Sequence, residues 1–291
     1  MKKLIFAAAC LLALNASAAM TVNDDDGKPV TVQKPALRVI SLAPHVTEMV
    51  YAAGGGERLV AAVEYSDYPE AAKRLPRVGS NRQIDMERVA ALKPDLIVVW
   101  MHGSSERQID QIRALGIPIF HSEPKKLDDI ASNLQRIGKL MGTEAVAEPA
   151  AAALRARLAA LSAQYASRSP VRMFYQFWNK PLYTLNGDHI ISDAARICGA
   201  QNVFARLKVT APVVDVEAVL QEDPEAIISG STAADGGLDM WQATPGMTAV
   251  KRGNLFRVDG NLLNRSGPRM IDGAAALCEK LELARQHRKG A

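Results

Sequence analysis

The feature that most restricts what this chain can fold into is a stretch written twice. Residues 85–100 read DMERVAALKPDLIVVW, and residues 215–230 read DVEAVLQEDPEAIISG. Asp85 returns as Asp215, Glu87 as Glu217 and Pro94 as Pro224, and an acidic residue follows each proline. Each copy has a short helical pattern stopped by proline and then an apolar run of strand type. A fragment of this kind, present in both halves of the chain, predicts two similar α/β lobes.

The flanking sequence supports that reading. TVNDDDGKPVTV alternates on both sides of an acidic, glycine-containing turn and predicts a leading β-hairpin. LRVISLAP is a strand, and HVTEMVYAAG is a helix with Val46, Met49, Val50 and Ala53 at helical spacing and Gly54 as its stop. RLVAAVEY, DLIVVW and IPIFH are further strands, and RQIDQIRALG is a helix with Ile109, Ile112 and Leu115 on one side. Strands without polar alternation are buried on both faces, which means a parallel sheet covered by helices. LDDIASNLQRIGKLMG is then one helix, and a long Ala-, Leu- and Arg-rich helix follows, with Pro149 near enough to its start to be tolerated. VRMFYQFW, HIISDAARICGAQNVFA and GNLFRVDG repeat the first half, and MIDGAAALCEKLELARQ closes the chain as a helix.

The predicted organisation is a signal peptide at 1–18, an N-terminal lobe with its leading hairpin at 19–142, a linking helix at 143–168 and a C-terminal lobe at 169–291. The fold class is α/β, with two Rossmann-like lobes joined by a single long rigid helix. A cleft is expected between the C-terminal ends of the two sheets, where open α/β sheets take ligands. A helical spine permits little hinge closure.

The first 18 residues combine Lys2 and Lys3, an apolar run from Leu4 to Leu14 and small residues at Ala16 and Ala18, so export with cleavage after Ala18 is expected. Cys10 lies inside the apolar run, which disfavours a lipid anchor there. No later stretch has the roughly 18 apolar residues that a membrane helix needs, and the mature protein is expected to be soluble in the periplasm. Without Lys2 and Lys3 the formal charge falls from +4 to +2, and much of that excess sits in the tail ARQHRKG, so no basic face for nucleic acid is foreseen. Cys198 and Cys278 survive processing. In an oxidising compartment they are either a disulfide or two free buried thiols.

Motifs for catalysis are missing: the sequence has no phosphate-binding loop, nucleophile elbow, zinc-protease helix or C-x-x-C. The run Gly54–Gly56 ends a helix where a phosphate site would open one. None of the histidines has helical metal spacing to another, so no metal site and no cofactor are expected. His102, just after the strand DLIVVW, is placed to touch a ligand or a ligand's own metal. Aromatics make up only 5% of the chain, yet Tyr65, Tyr68, Trp100, Phe177, Trp178 and Tyr183 fall at strand ends facing the expected cleft. Phe177 serves equally well as a core plug. Glu87 and Glu217 each follow a helix-opening Asp, where the helix dipole favours a carboxylate. Their recurrence in both lobes also suits docking onto a two-fold partner with basic sockets.

The segments RVISLAPHVTEMVYAAG, YSDYPEAAKRLPRVG, MERVAALKPDLIVVW, ERQIDQIRALGI, ICGAQNVF and VEAVL resemble the periplasmic substrate-binding proteins of cobalamin ABC importers. These belong to a larger class that also carries ferric siderophores and haem. The resemblance runs from about Val30 to Leu283. It implies two Rossmann-like lobes on a rigid helix, docking glutamates at Glu87 and Glu217 that engage arginines of the permease, and a disulfide between Cys198 and Cys278. It further implies corrinoid-contacting aromatics at Tyr65, Trp100 and Tyr183, and a basic rim residue at Arg265. The chain departs from the family pattern near Asn81 and at Ala211, where the family has tryptophans, and at Asn261, where it has an acidic contact. Two missing indoles amount to about 2 to 4 kcal/mol of contact, which Trp178 or Trp241 is positioned to replace.

The resulting expectation is a monomeric periplasmic protein that captures a corrinoid and delivers it to an ABC permease dimer with its ATPase. A ferric siderophore or haem is the alternative cargo, with Arg82, Arg107 and Arg265 as candidate anion contacts. A secreted two-lobed enzyme is the reading from another class, with Asp67 and His102 as its best acid/base pair.

Overall fold

The computed structural model describes residues 19–80, 83–103, 106–230 and 237–288. The leader at 1–18 lies outside them, as do Asn81 and Arg82.

The first lobe is built from β3 (Val39–Ser41), α1 (Pro44–Ala52), β4 (Leu59–Ala62), α2 (Met86–Ala91), β5 (Leu96–Val99), α3 (Glu106–Ala114) and β6 (Ile119–His121). Its strands are all parallel, in the order β4-β3-β5-β6. Preceding them is the antiparallel hairpin of β1 (Met20–Asn23) and β2 (Pro29–Val32) that the alternating sequence predicts. Two helices follow, α4 (Leu127–Met141) and the 22-residue α5 (Glu144–Tyr165). Pro149 removes one N–H donor near the start of α5, and the helix runs on through it.

The second lobe repeats the plan with β7 (Val171–Gln176), α6 (Ile190–Ile197), β10 (Ala200–Asn202), α7 (Val216–Glu222), β11 (Ala226–Ser229), α8 (Thr248–Lys251) and β12 (Leu255–Arg257). A short hairpin, β8 (Trp178–Asn179) with β9 (Leu182–Tyr183), is inserted after β7. The short α9 (Gly260–Leu263) and the long α10 (Met270–His287) end the fold. The parallel order β10-β7-β11-β12 matches the first sheet strand for strand.

The absence of polar alternation has a direct cause. In β5, Leu96 and Val98 point into one apolar cluster and Ile97 and Val99 into another on the opposite face. In β7 and β11, Met173, Tyr175 and Ile228 face the first cluster, while Phe174 and Ile227 face a third. The first cluster is therefore shared: it takes one face of each sheet and is filled by α4, α5, α6 and α10. α5 packs along α4 and touches α10, and the amide of Leu127 at the start of α4 donates to Asp193 on α6 at 3.0 Å. The lobes thus lean on one another as well as on the helix that connects them.

The repeated stretch is capped identically in both lobes. Asp85 accepts from the amide of Arg88 at 2.9 Å, and Asp215 from that of Ala218 at 2.7 Å. After each helix a residue of positive φ stands directly before the proline, Lys93 at 47° and Asp223 at 39°. The acidic residues after the prolines differ in use. Asp95 accepts from the amides of Leu37 and Arg38 and so aligns the entry to β3. Glu225 pairs with Arg252 and Arg288. Gly54 ends α1 at φ 82°, and a Cβ there would lie 2.8 Å from Val146 of α5. Cys198 and Cys278 are joined in a disulfide that ties the end of α6 to α10.

Candidate functional site

Three loops leave the C-terminal ends of β3, β4 and β5 and meet a loop of the second lobe. Ala43, Pro44 and His45 come from the first, Val63, Glu64 and Tyr65 from the second, and Trp100 from the third. Across from them Asn264 and Arg265 complete a cavity of about 240 Å³. The cavity sits at the ligand-taking end of a parallel sheet and uses both lobes. Tyr65 is 76% exposed and has φ 63°, a left-handed backbone that a bulky residue avoids unless its surroundings hold it. Its ring is thereby turned outward beside the cavity instead of into the core.

The walls are held together by a charge cluster that crosses between lobes. Glu48 on α1 is almost fully buried, and its carboxylate receives Arg269 through Nε at 2.8 Å and Nη2 at 2.6 Å. Arg265 donates to Asp67 at 2.5 Å and approaches Glu48 at 3.4 Å. The Arg265 guanidinium holds the Asp67 carboxyl below its usual range. Arg269 also lies over the Tyr68 ring at 3.9 Å. Arg265 is therefore not a free cation: two carboxylates from the opposite lobe already balance the two arginines.

His45 is buried, its Nε2 has no hydrogen-bond partner among the described residues, and its ring meets Trp100 edge-on with centroids 6.0 Å apart. Burial pushes its imidazole down from 6.5 to about 4. Above 6.5 both folded and unfolded chains are neutral at this site. As pH falls toward 4 only the unfolded chain takes up the proton, so stability is lost in that window and not above it. The expected loss at pH 4 is about 3 kcal/mol for this residue. Urea midpoints at pH 7 and pH 4, for the protein and a His45→Asn variant, measure it; the variant should show a shallower fall.

Of the residues expected to bind a ligand, Tyr65, Trp100 and Arg265 come together in the cavity. Trp178 and Tyr183 do not line it. They face one another across the β8–β9 hairpin at the exit of β7, with Trp178 half exposed. Phe177 is partly exposed, at 38%, and belongs to none of the apolar clusters among the described residues. Trp241 cannot replace a missing indole at the surface, because it is fully buried, donates to Gln176 at 2.6 Å and packs edge-on against Phe174. Tyr68 is occupied by Arg269. The pair Asp67 and His102 proposed for an enzyme is not a pair, since Asp67 holds Arg265 while His102 contacts Glu123 at 2.5 Å. The expectation of no metal site rests on the spacing of the histidines along the chain. Helical spacing does not join them, but the parallel strands β5 and β6 bring His102 and His121 to Glu123. Arg107 is exposed on α3.

Sequence reasoning missed Pro44, His45 and Asn264 as wall residues, and Glu48 as the buried centre of the charge cluster. The signal for Glu48 was available: a carboxylate inside the apolar helix HVTEMVYAAG needs a cationic partner once that helix is packed. Glu87 and Glu217 are exposed at equivalent positions on α2 and α7, and neither forms an ion pair among the described residues.

A cavity walled by loops from the ligand end of one sheet and closed by the other lobe is the arrangement of a two-lobed binding protein. Residues 39–262 match the family described as periplasmic binding protein. The chain is 40% identical over 253 residues to a vitamin B12-binding protein of Vibrio cholerae, covering 87% of this chain and 91% of that protein. It is 39% identical over 246 residues to a vitamin B12-binding protein of Yersinia pestis, covering 84% and 86%. The crystal structure of the periplasmic vitamin B12-binding protein BtuF of Vibrio cholerae superposes with a TM-score of 0.81 at 40% identity, covering 86% of this chain and 98% of that one. The periplasmic haem-binding protein HutB of Vibrio cholerae shares the fold, with a TM-score of 0.73 at 20% identity over 84% and 98%. The chain belongs to the periplasmic binding protein family. These relatives are binding proteins and not enzymes, and among the described residues no helix is long and apolar enough to cross a membrane.

Proposed function

We propose that this chain binds a corrinoid between its lobes, in the periplasm, and delivers it to an ABC permease dimer driven by its ATPase. The observation that carries the reading is the meeting of Tyr65, Trp100 and Arg265 in one interlobe cavity, in a chain 40% identical to vitamin B12-binding proteins over most of their length. Export by a leader cleaved after Ala18, and action as a monomer, belong to the same proposal.

Charge distinguishes the cargo. A corrinoid presents a broad apolar ring edged with neutral amides, whereas haem and many ferric siderophores carry carboxylates or other anionic groups. Among the described lining residues Arg265 is the one permanent cation; Asp67 and Glu48 compensate it, and Glu64 adds negative charge. His45 is neutral at periplasmic pH. Such a wall suits aromatic contact with a neutral ligand and hydrogen bonds from Asn264 to amides, and it offers an anion little. At about 240 Å³ the enclosed part is smaller than pockets that swallow drug-sized ligands, so it receives one edge of a large molecule while the rest stands between the lobes.

Calorimetric titration with cyanocobalamin, haem and a ferric hydroxamate tests the reading. The expected result is a 1:1 complex of micromolar or tighter affinity with cyanocobalamin. Tyr65→Gly should weaken that complex about tenfold, which is about 1.4 kcal/mol. The same change removes a strained backbone position, so thermal stability should hold or rise. Haem or chelate binding with no cyanocobalamin binding overturns the cargo assignment.

A further inference from the structure

We infer that His102, His121 and Glu123 form a site for a divalent transition-metal ion of the zinc type, separate from the aromatic cavity. His121 ends β6, Glu123 follows two residues later, and His102 lies in the turn after the neighbouring parallel strand β5. Their donor atoms all lie within 4.8 Å of one another. Nδ1 of His102 is 2.5 Å from Glu123 Oε2, and Nε2 of His121 is 3.8 Å from the same oxygen. The ring centroids of the two histidines are 5.8 Å apart.

Proximity alone would leave this a surface ion pair. The second observation is that His121 is 1% exposed and neither of its ring nitrogens makes a hydrogen bond among the described residues. An imidazole buried without partners is costly, and a metal ion at Nε2 supplies the missing partner. The other nitrogen already has the outer carboxylate that metal-bound histidines use: Nδ1 is 3.2 Å from Asp26 Oδ1, close but off line for a hydrogen bond. A proton on Nδ1 facing Asp26 leaves the Nε2 lone pair facing Glu123.

The backbone carrying two of the three ligands is fixed on both sides. Asp25 donates its amide to the carbonyl of His121 at 3.0 Å, and its carboxylate accepts from the amide of Glu123 at 2.5 Å. Asn133 and Arg136 hold that carboxylate in turn, at 2.8 and 2.5 Å. His102 has a 65% exposed side chain, so it is the member free to move. Donors about 2.0 to 2.2 Å from a tetrahedral zinc ion stand roughly 3.3 Å from each other. Reaching that from the present spacing requires shifts on the order of 1 Å, chiefly of His102. Two imidazoles and one carboxylate select zinc, nickel or copper over magnesium or calcium, and three protein ligands leave a position for water.

Glu123 also links this site to the cavity, because its Oε1 lies 3.4 Å from the indole Nε1 of Trp100. Metal binding should therefore be visible in tryptophan fluorescence. This inference does not depend on the corrinoid reading, and either can fail alone.

The test uses tag-free, chelator-treated mature protein titrated with Zn²⁺ by calorimetry, with Co²⁺ as a spectroscopic probe. One equivalent of Zn²⁺ is expected to bind with micromolar or tighter affinity, and Co²⁺ should give the visible bands of a nitrogen- and oxygen-ligated site. His102→Ala, at an exposed turn, should keep the metal-free melting temperature and weaken Zn²⁺ binding at least tenfold; Glu123→Gln should weaken it similarly. The inference is overturned if the unmodified protein binds no Zn²⁺ in the micromolar range. It is equally overturned if both variants bind Zn²⁺ as tightly as the unmodified protein.

Discussion

Glu48→Ala is expected to cost about 3 kcal/mol of stability, the low end of what breaking a buried ion pair costs. The carboxylate is nearly inaccessible and receives three guanidinium contacts from Arg265 and Arg269 in the opposite lobe. Its removal leaves Arg269 with the Tyr68 ring and the charge of nearby Asp67, while Arg265 keeps its hydrogen bond to Asp67. That residual pairing is why the expected cost is at the low end. Glu48→Gln retains the volume and one acceptor, and should lie between the two. Replacing Glu48 and Arg269 together by leucine should recover part of the loss, because no charge is then stranded. Urea denaturation monitored by circular dichroism measures all three; a midpoint for Glu48→Ala equivalent to a loss below about 1 kcal/mol, at constant slope, would mean that water already solvates the cluster. Because the cluster spans the lobes beside the cavity, the same change should also loosen the cavity wall and weaken ligand capture.

What could be read in advance divides along the range of the interactions. The repeated stretch predicted the topology because its information is local: aspartate caps, an apolar face and a proline stop fix α2 and α7, and the unalternating runs fix β5 and β11. Val46, Met49, Val50 and Ala53 are all buried, as their spacing requires. Tyr65 and Trp100 line the cavity because they stand where strands end, a position the sequence pattern does encode. Glu48 was legible only as a buried carboxylate in need of a cation; its partners were not, since Arg265 and Arg269 are more than 200 positions away. The meeting of His102 with His121 depends on β5 and β6 being neighbours in parallel register, which periodicity within a segment does not encode. Trp241 misled for a related reason. It lies outside regular strands, in a short turn of helix at Asp239–Ala243, yet it is the indole that fills the outer core of the second lobe and satisfies Gln176.

Reversing Glu87 and Glu217 together, as Glu87→Arg with Glu217→Arg, is expected to abolish uptake while leaving cargo affinity and folding unchanged. Both carboxylates are exposed and unpaired among the described residues, and each stands in the first turn of a helix opened by an aspartate cap. The cap already satisfies a helix amide, so the glutamate adds at most the few tenths to 1 kcal/mol that a charge gains from the helix dipole. Stability therefore gives little reason for both lobes to carry one. Strand-for-strand equivalence of the two sheets sets α2 and α7 in corresponding places, so the two charges are related by the pseudo-symmetry of the fold. A dimeric permease with arginines at matching points would be recognised by that spacing and oriented by it, and reversal would replace two attractions with two repulsions. Neither residue lines the cavity, so cyanocobalamin titration should give the same affinity before and after. Single reversals should impair uptake partially, because one contact remains. Vitamin B12-dependent growth of a strain relying on this protein, measured beside purified-protein affinity, separates the outcomes: unimpaired growth with the double reversal would reduce both glutamates to ordinary helix-start residues.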